Sequence, residues 1–120
     1  MNFSPEYEAY MCSEEWKTLR SRHPSPRQCV ACDATYNLRL HHMIYPEDIW
    51  KTQPHHCCWL CEGCRDAFHR ACTGERKKYQ AWATEPWKVK MIVQAQRKEE
   101  GWQSAGDLLK NMRWEQRSVR

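Results

Sequence analysis

Two Cys-x-x-Cys pairs, Cys29-Val30-Ala31-Cys32 and Cys61-Glu62-Gly63-Cys64, constrain this chain more than any other feature. In each pair the spacing lets two thiolates reach one ion from a tight turn and leaves backbone N–H groups free to hydrogen-bond the sulfurs. Together the pairs supply the four ligands of a closed tetrahedral site, and the 28 residues between Cys32 and Cys61 suit a hairpin. Zinc is the expected ion. A chain of 120 residues builds only a small core, and metal-linked folding energy of roughly 10 kcal/mol or more would offset that shortage. The first residues, Met1-Asn2-Phe3-Ser4-Pro5-Glu6, lack the basic and apolar regions of a secretion signal, so eight cysteines are expected to serve metal before disulfides, in a cytoplasmic protein. No run approaches the roughly 18 apolar residues of a membrane span, and a mean hydropathy of -0.96 fits one water-soluble domain with no membrane partner. Cys57 and Cys58 are read as opposite faces of a strand, one of them in the core; Cys12 and Cys72 carry no assignment.

Local signals order the rest of the chain. Ser4-Pro5-Glu6 and Ser13-Glu14-Glu15 each begin a helix with a capping hydroxyl followed by acids, and Pro24 and Pro26 end helical order. Leu38-Arg39-Leu40-His41 and Cys57-Cys58-Trp59-Leu60 read as two strands joined by a loop that holds Pro46, Glu47-Asp48 and Pro54. From Glu62, the pattern Arg65, Ala67, Phe68, Ala71 predicts a helix ending near Thr73-Gly74. Pro86 opens a further helix with Val89, Ile92, Val93 and Gln96 on one stripe, and Ser104-Ala105-Gly106-Asp107 resembles a cap ahead of Leu108-Leu109 and Met112. The expected fold class is α+β, mostly helical, in a single domain: a core over residues 10–73 and a basic helical extension over 74–120. Of the seven tryptophans, Trp16, Trp59 and Trp102 are expected to fill a core, and Trp82, Trp87 and Trp114 to lie in the basic tail.

Six histidines are present. His41 and His42, adjacent at the end of a strand, point to opposite faces, so one can hold a metal while its neighbour takes a proton. His69 lies about two turns into the helix that Cys64 opens, placed to meet His41 if that helix packs on the hairpin. His23 reads as a surface residue.

These residues carry a family resemblance. Tyr10-Met11-Cys12-Ser13-Glu14-Glu15-Trp16-Lys17, then Cys29-x-x-Cys32, Leu40-His41-His42-Met43-Ile44-Tyr45 and Leu60-Cys61-Glu62-Gly63-Cys64-Arg65-Asp66-Ala67-Phe68-His69 resemble the HNH endonuclease family over residues 10–70. The resemblance implies a ββα-metal core with structural Zn2+ on Cys29, Cys32, Cys61 and Cys64, flanked by an N-terminal helix and C-terminal helices. By position it implies His41 and His69 as ligands of a catalytic divalent ion (Mg2+, Mn2+ or another transition metal), His42 as general base, and His56 as the residue that fixes the loop orienting the base. One departure stands out. The residue after the second cysteine pair is usually a histidine ligand, and here it is Arg65, which cannot coordinate a cation. Arg65 is either a clamp on a nonbridging phosphate oxygen or solvated surface, and His55 is a candidate substitute ligand.

The chemistry implied is hydrolysis of a DNA phosphodiester bond, with His42 drawing a proton from water near neutral pH. Double-stranded DNA is the expected partner, with a homodimer or a protein partner as further options, in a small nuclease resembling phage-encoded and mobile-element enzymes of bacterial cells. Charge is consistent with this. Residues 1–73 hold eight basic and nine acidic side chains, residues 74–120 eleven and six, which places the expected phosphate contacts in the C-terminal half. The rival is an HNH-like zinc module that has lost cleavage because of Arg65 and binds DNA or a host protein.

Overall fold

The computed structural model describes residues 4–101. The Ser4 hydroxyl accepts the Tyr7 N–H at 3.2 Å and starts α1 (Pro5–Met11); Ser13 accepts the Trp16 N–H at 3.2 Å and starts α2 (Glu14–Arg22). Each cap satisfies a donor that the first turn leaves orphaned, as the sequence predicts. His23 ends α2 ahead of Pro24. Contrary to its reading as a surface residue, the half-buried His23 places Nε2 2.8 Å from the Pro54 carbonyl and 3.2 Å from that of Cys57, tying the end of α2 to the hairpin.

Strands β1 (Leu38–His42) and β2 (Cys57–Cys61) pair antiparallel in the register Leu38↔Cys61, Leu40↔Trp59, His41↔Cys58 and His42↔Cys57. Their connection contains two 3₁₀ turns, Ile49–Lys51 and Pro54–His56; the Asp48 carboxylate accepts the Trp50 N–H at 3.1 Å at the first. Helix α3 (Glu62–Ala71) follows β2 directly, giving a strand–strand–helix order. It stops two residues short of Thr73. Gly74, with φ 58° in the left-handed region that glycine tolerates, opens a 3₁₀ turn over Gly74–Lys77. Then come α4 (Lys78–Trp82) and α5 (Pro86–Glu99), the latter opened by the proline as predicted. An α+β, mostly helical chain is what the described residues show. The expected Ser104–Asp107 cap, Leu108-Leu109, Met112, Trp102 and Trp114 lie outside them.

The sheet is covered on both faces, and this decides the site. Cys58 and Leu60 pack with Ala67, Phe68 and Ala71 of α3 and with Val89, Ile92 and Val93 of α5. Leu40, Cys57 and Trp59 pack with Tyr10 of α1, Trp16 of α2 and Ile49. Cys57 and Cys58 do take opposite faces, but both are buried, because helices lie on either side of a sheet only two strands wide. The same alternation turns His41 toward α3 and His42 toward α1 and α2.

Phe68 is 1% exposed and meets the His41 ring edge-on at 4.8 Å. Phe68→Ala is expected to lower stability by about 3–5 kcal/mol in urea unfolding of the metal-loaded protein, whereas Met91→Ala, at an exposed position of α5, is expected to change it by less than about 0.5 kcal/mol.

Candidate functional site

Two constellations meet at the sheet. In the first, the sulfurs of Cys29, Cys32, Cys61 and Cys64 all lie within 4.8 Å of one another, and Cys32 and Cys61 are 3.6 Å apart. Two thiolates on a tetrahedral zinc, with Zn–S bonds of about 2.3 Å, sit about 3.8 Å apart. The cluster could hold a metal ion such as zinc. All eight cysteines are free thiols. The first pair turns on a backbone hydrogen bond from the Asp33 N–H to the Cys29 carbonyl at 2.9 Å, with Asp33 at φ 67°. In the second pair Cys61 is the N-cap of α3, and its sulfur accepts the Cys64 N–H at 3.4 Å. Cys29 is held down to about 4 by a hydrogen bond from Cys64, against its burial, with further help from the backbone N–H groups of Cys61, Ala31 and Cys32. Cys64 is correspondingly pushed up, by that shared bond and then by burial. A thiolate, the form that binds metal, is thus favoured at Cys29, whereas burial pushes Cys32 up to about 11.

Helix α5 reaches this cluster. Arg97 Nη1 donates to the Cys64 sulfur at 3.1 Å, and Gln94 Nε2 donates to the Ala31 carbonyl inside the first turn at 2.9 Å. Four thiolates around a divalent ion carry two excess negative charges, and a guanidinium beside them offsets part of that charge. Neither residue was singled out by sequence. Arg97 lies 33 positions beyond Cys64, and only the packing of α5 on α3 brings it there.

The second constellation is the histidine cleft. His41, His42, Arg65 and His69 line one cavity of about 760 Å³. The His41 and His69 ring centroids are 6.4 Å apart, and His41 is 6% exposed. His42, 3% exposed, stacks on Trp16 at 4.9 Å and on Tyr45 at 5.0 Å. Both histidines bury an Nε2 atom that has no hydrogen-bond partner. Such an atom costs roughly 1–3 kcal/mol unless a ligand or ion satisfies it. Burial pushes His41 down to about 3, with the positive charges of His69, His42 and Arg65 acting in the same direction; burial and then His56 push His42 down to about 4. His69 is lowered by burial and Arg65, partly offset by Asp66.

His56 does not line the cleft. Its Nδ1 accepts the Gln53 N–H at 2.9 Å, and its carbonyl accepts the N–H groups of Met43 and Ile44, at 2.7 and 3.2 Å, just after His42. It holds the loop rather than the reacting groups. The exposed His55 packs on His56 at 4.2 Å and is likewise away from the cleft, so it does not substitute for a ligand there.

His41 and His69 stand near, but not at, the spacing of a two-imidazole ligand pair. With metal–nitrogen bonds of about 2.1 Å, two imidazoles on one tetrahedral ion have centroids about 5 Å apart, so His41 and His69 would close by about 1 Å. The orphaned His41 nitrogen is the observation in favour. Against it, the four cysteines are the only cluster of three or more ligand side chains among the described residues, and Arg65 adds a fixed cation to the same cavity. Comparison of the chain with protein-family models, curated proteins and solved structures finds no match.

Three outcomes follow from this geometry. Purified protein is expected to carry one zinc per chain by elemental analysis, and excess chelator is expected to abolish its near-ultraviolet circular dichroism. Arg97→Met is expected to weaken zinc retention about ten-fold or more in competition with a chromophoric chelator while leaving the helical signal intact. Because both buried imidazoles titrate below their unfolded value of about 6.5, the folded state binds fewer protons than the unfolded one. Their stabilising contribution is thus complete above about pH 6.5 and declines as pH falls toward about 4. In urea unfolding between pH 7.5 and 5.5, His42→Phe, which keeps a ring in the stack, is expected to flatten that decline.

Proposed function

We propose that the chain is a metal-dependent endonuclease or nickase of HNH type that hydrolyses DNA phosphodiester bonds. The observation that carries this reading is the pair of buried Nε2 atoms, on His41 and His42, without partners beside a cavity that also holds His69 and Arg65. Zinc on Cys29, Cys32, Cys61 and Cys64 is the structural brace in this reading. His41 and His69 are the ligand pair for a Mg2+, Mn2+ or other divalent ion, which when bound supplies positive charge to the phosphate and to the departing 3′ oxygen. His42, neutral at pH 7, accepts the proton of the attacking water as the new P–O bond forms and the P–O3′ bond breaks. Its lowered proton affinity rises when a phosphate anion enters the cleft. Stacking between Trp16 and Tyr45 fixes the ring plane, and His56 fixes the loop behind it. Arg65 grips a nonbridging phosphate oxygen through its planar donors.

A second reading is favoured by Arg65 itself. A fixed cation in place of a third ligand weakens divalent binding, and an HNH-like zinc module that binds DNA or a protein without cutting would keep everything else. Incubation with supercoiled plasmid, with and without Mg2+ or Mn2+, tests both. Metal-dependent relaxation that His42→Ala lowers by about 100-fold or more supports the nuclease. Retarded but uncut plasmid with every ion supports the second reading.

A further inference from the structure

The cations that line the histidine cleft come from the half of the chain with no basic excess. Lys17 and Arg20 of α2, Arg27 of the following loop, Arg39 of β1 and Arg65 of α3 border the cavity, against the single carboxylate of Glu62. Among the described residues Arg20, Arg27, Arg39 and Arg65 form no ion pair, and Lys17 pairs only with the exposed Glu14, at 3.3 Å. In the basic C-terminal half, Arg76 pairs with Glu99 and Lys88 with Glu85, and Lys88 Nζ also lies 5.1 Å from the Trp82 ring centre. Net charge by segment therefore does not report which cations border the cleft.

We propose that a nucleic-acid backbone runs along the edge of β1 that β2 leaves unpaired, held by these five cations. This rests on the nuclease reading for its end point, the scissile phosphate at Arg65. The cavity is bordered by consecutive residues of β1 from both of its faces, so it follows the strand edge. Two of the arms are already ordered: the Arg20 guanidinium lies over Trp16 at 5.9 Å and that of Arg27 over Trp59 at 5.3 Å. Trp16 in turn stacks on His42, so the arm and the base share one rigid support. Pre-ordering lowers the entropy lost on binding. Trp16 and Trp59 are 3% and 5% exposed, which leaves no ring face on them for a base to stack upon. The track reads phosphates and is indifferent to base sequence.

The test is fluorescence anisotropy of two labelled 20-bp DNA duplexes of unrelated sequence, without added divalent ions and across a salt series. The wild type is expected to bind both equally. Arg20→Ala with Arg27→Ala is expected to weaken binding about ten-fold and to reduce the salt slope by about 2, while Lys77→Ala with Lys78→Ala changes affinity less than about three-fold. Arg20→Lys with Arg27→Lys, which retains charge, is expected to keep most of the affinity and the full slope, separating lost charge from lost structure. Wild-type protein that binds neither duplex, or a double alanine variant with unchanged slope, overturns the proposal, as does a loss confined to the Lys77 and Lys78 variant. The two readings fail separately. DNA bound through Arg20 and Arg27 but left uncut with every ion sinks the nuclease and leaves the track standing; metal-dependent cleavage with a slope indifferent to Arg20 and Arg27 does the reverse.

Discussion

Convergence of four thiols on one point is the constraint from which the geometry follows. Cys29 and Cys32 belong to a turn ahead of β1, Cys61 closes β2, and Cys64 sits in the first turn of α3. Bringing them together fixes the end of the hairpin against the start of the helix, so the strand carrying His41 and the helix carrying His69 keep a set relation. Helix α5 adds a fourth element through Arg97 and Gln94. A two-stranded sheet has too little surface to organise these pieces by burial alone, and the cysteines supply the missing fixed point.

Around that point the chain turns two adjacent histidines into different surroundings. Strand alternation sends the ring of His41 into the helix-covered face and that of His42 into the aromatic cluster of the N-terminal helices. Both rings lose water and stay neutral, yet both also border one cleft, because the cleft follows the strand edge rather than either face. An imidazole held neutral with an unsatisfied nitrogen is a poor structural element, and its cost is understandable where a phosphate, a water or an ion completes it. The N-terminal helices, expected from sequence only as a flank of the core, thereby become one wall of the cleft, with Trp16 the shared contact of Arg20 and His42.

Much of this was legible in the residues. Both N-caps, the strand pair, the helix after Cys61, the proline that opens α5 and the burial of Trp16 and Trp59 all rest on local rules: capping, period, and the size of an aromatic side chain. What escaped was set by contacts between distant segments. His23 read as surface because nothing near it in sequence signals that Pro54 and Cys57 will present their carbonyls. Both Cys57 and Cys58 are buried because helices from opposite ends of the chain cover both faces of the hairpin.

The sequence by itself determined which residues can act and which elements carry them, since ligand spacing, caps and strand alternation are properties of a few neighbouring positions. Only the tertiary structure decided where charge is displayed. A segment's net charge is a sum over its residues, whereas a cleft sees only the side chains turned toward it. Here the nearly neutral half turns five cations and one acid to the histidines, whereas no cation of the basic half borders that cleft among the described residues.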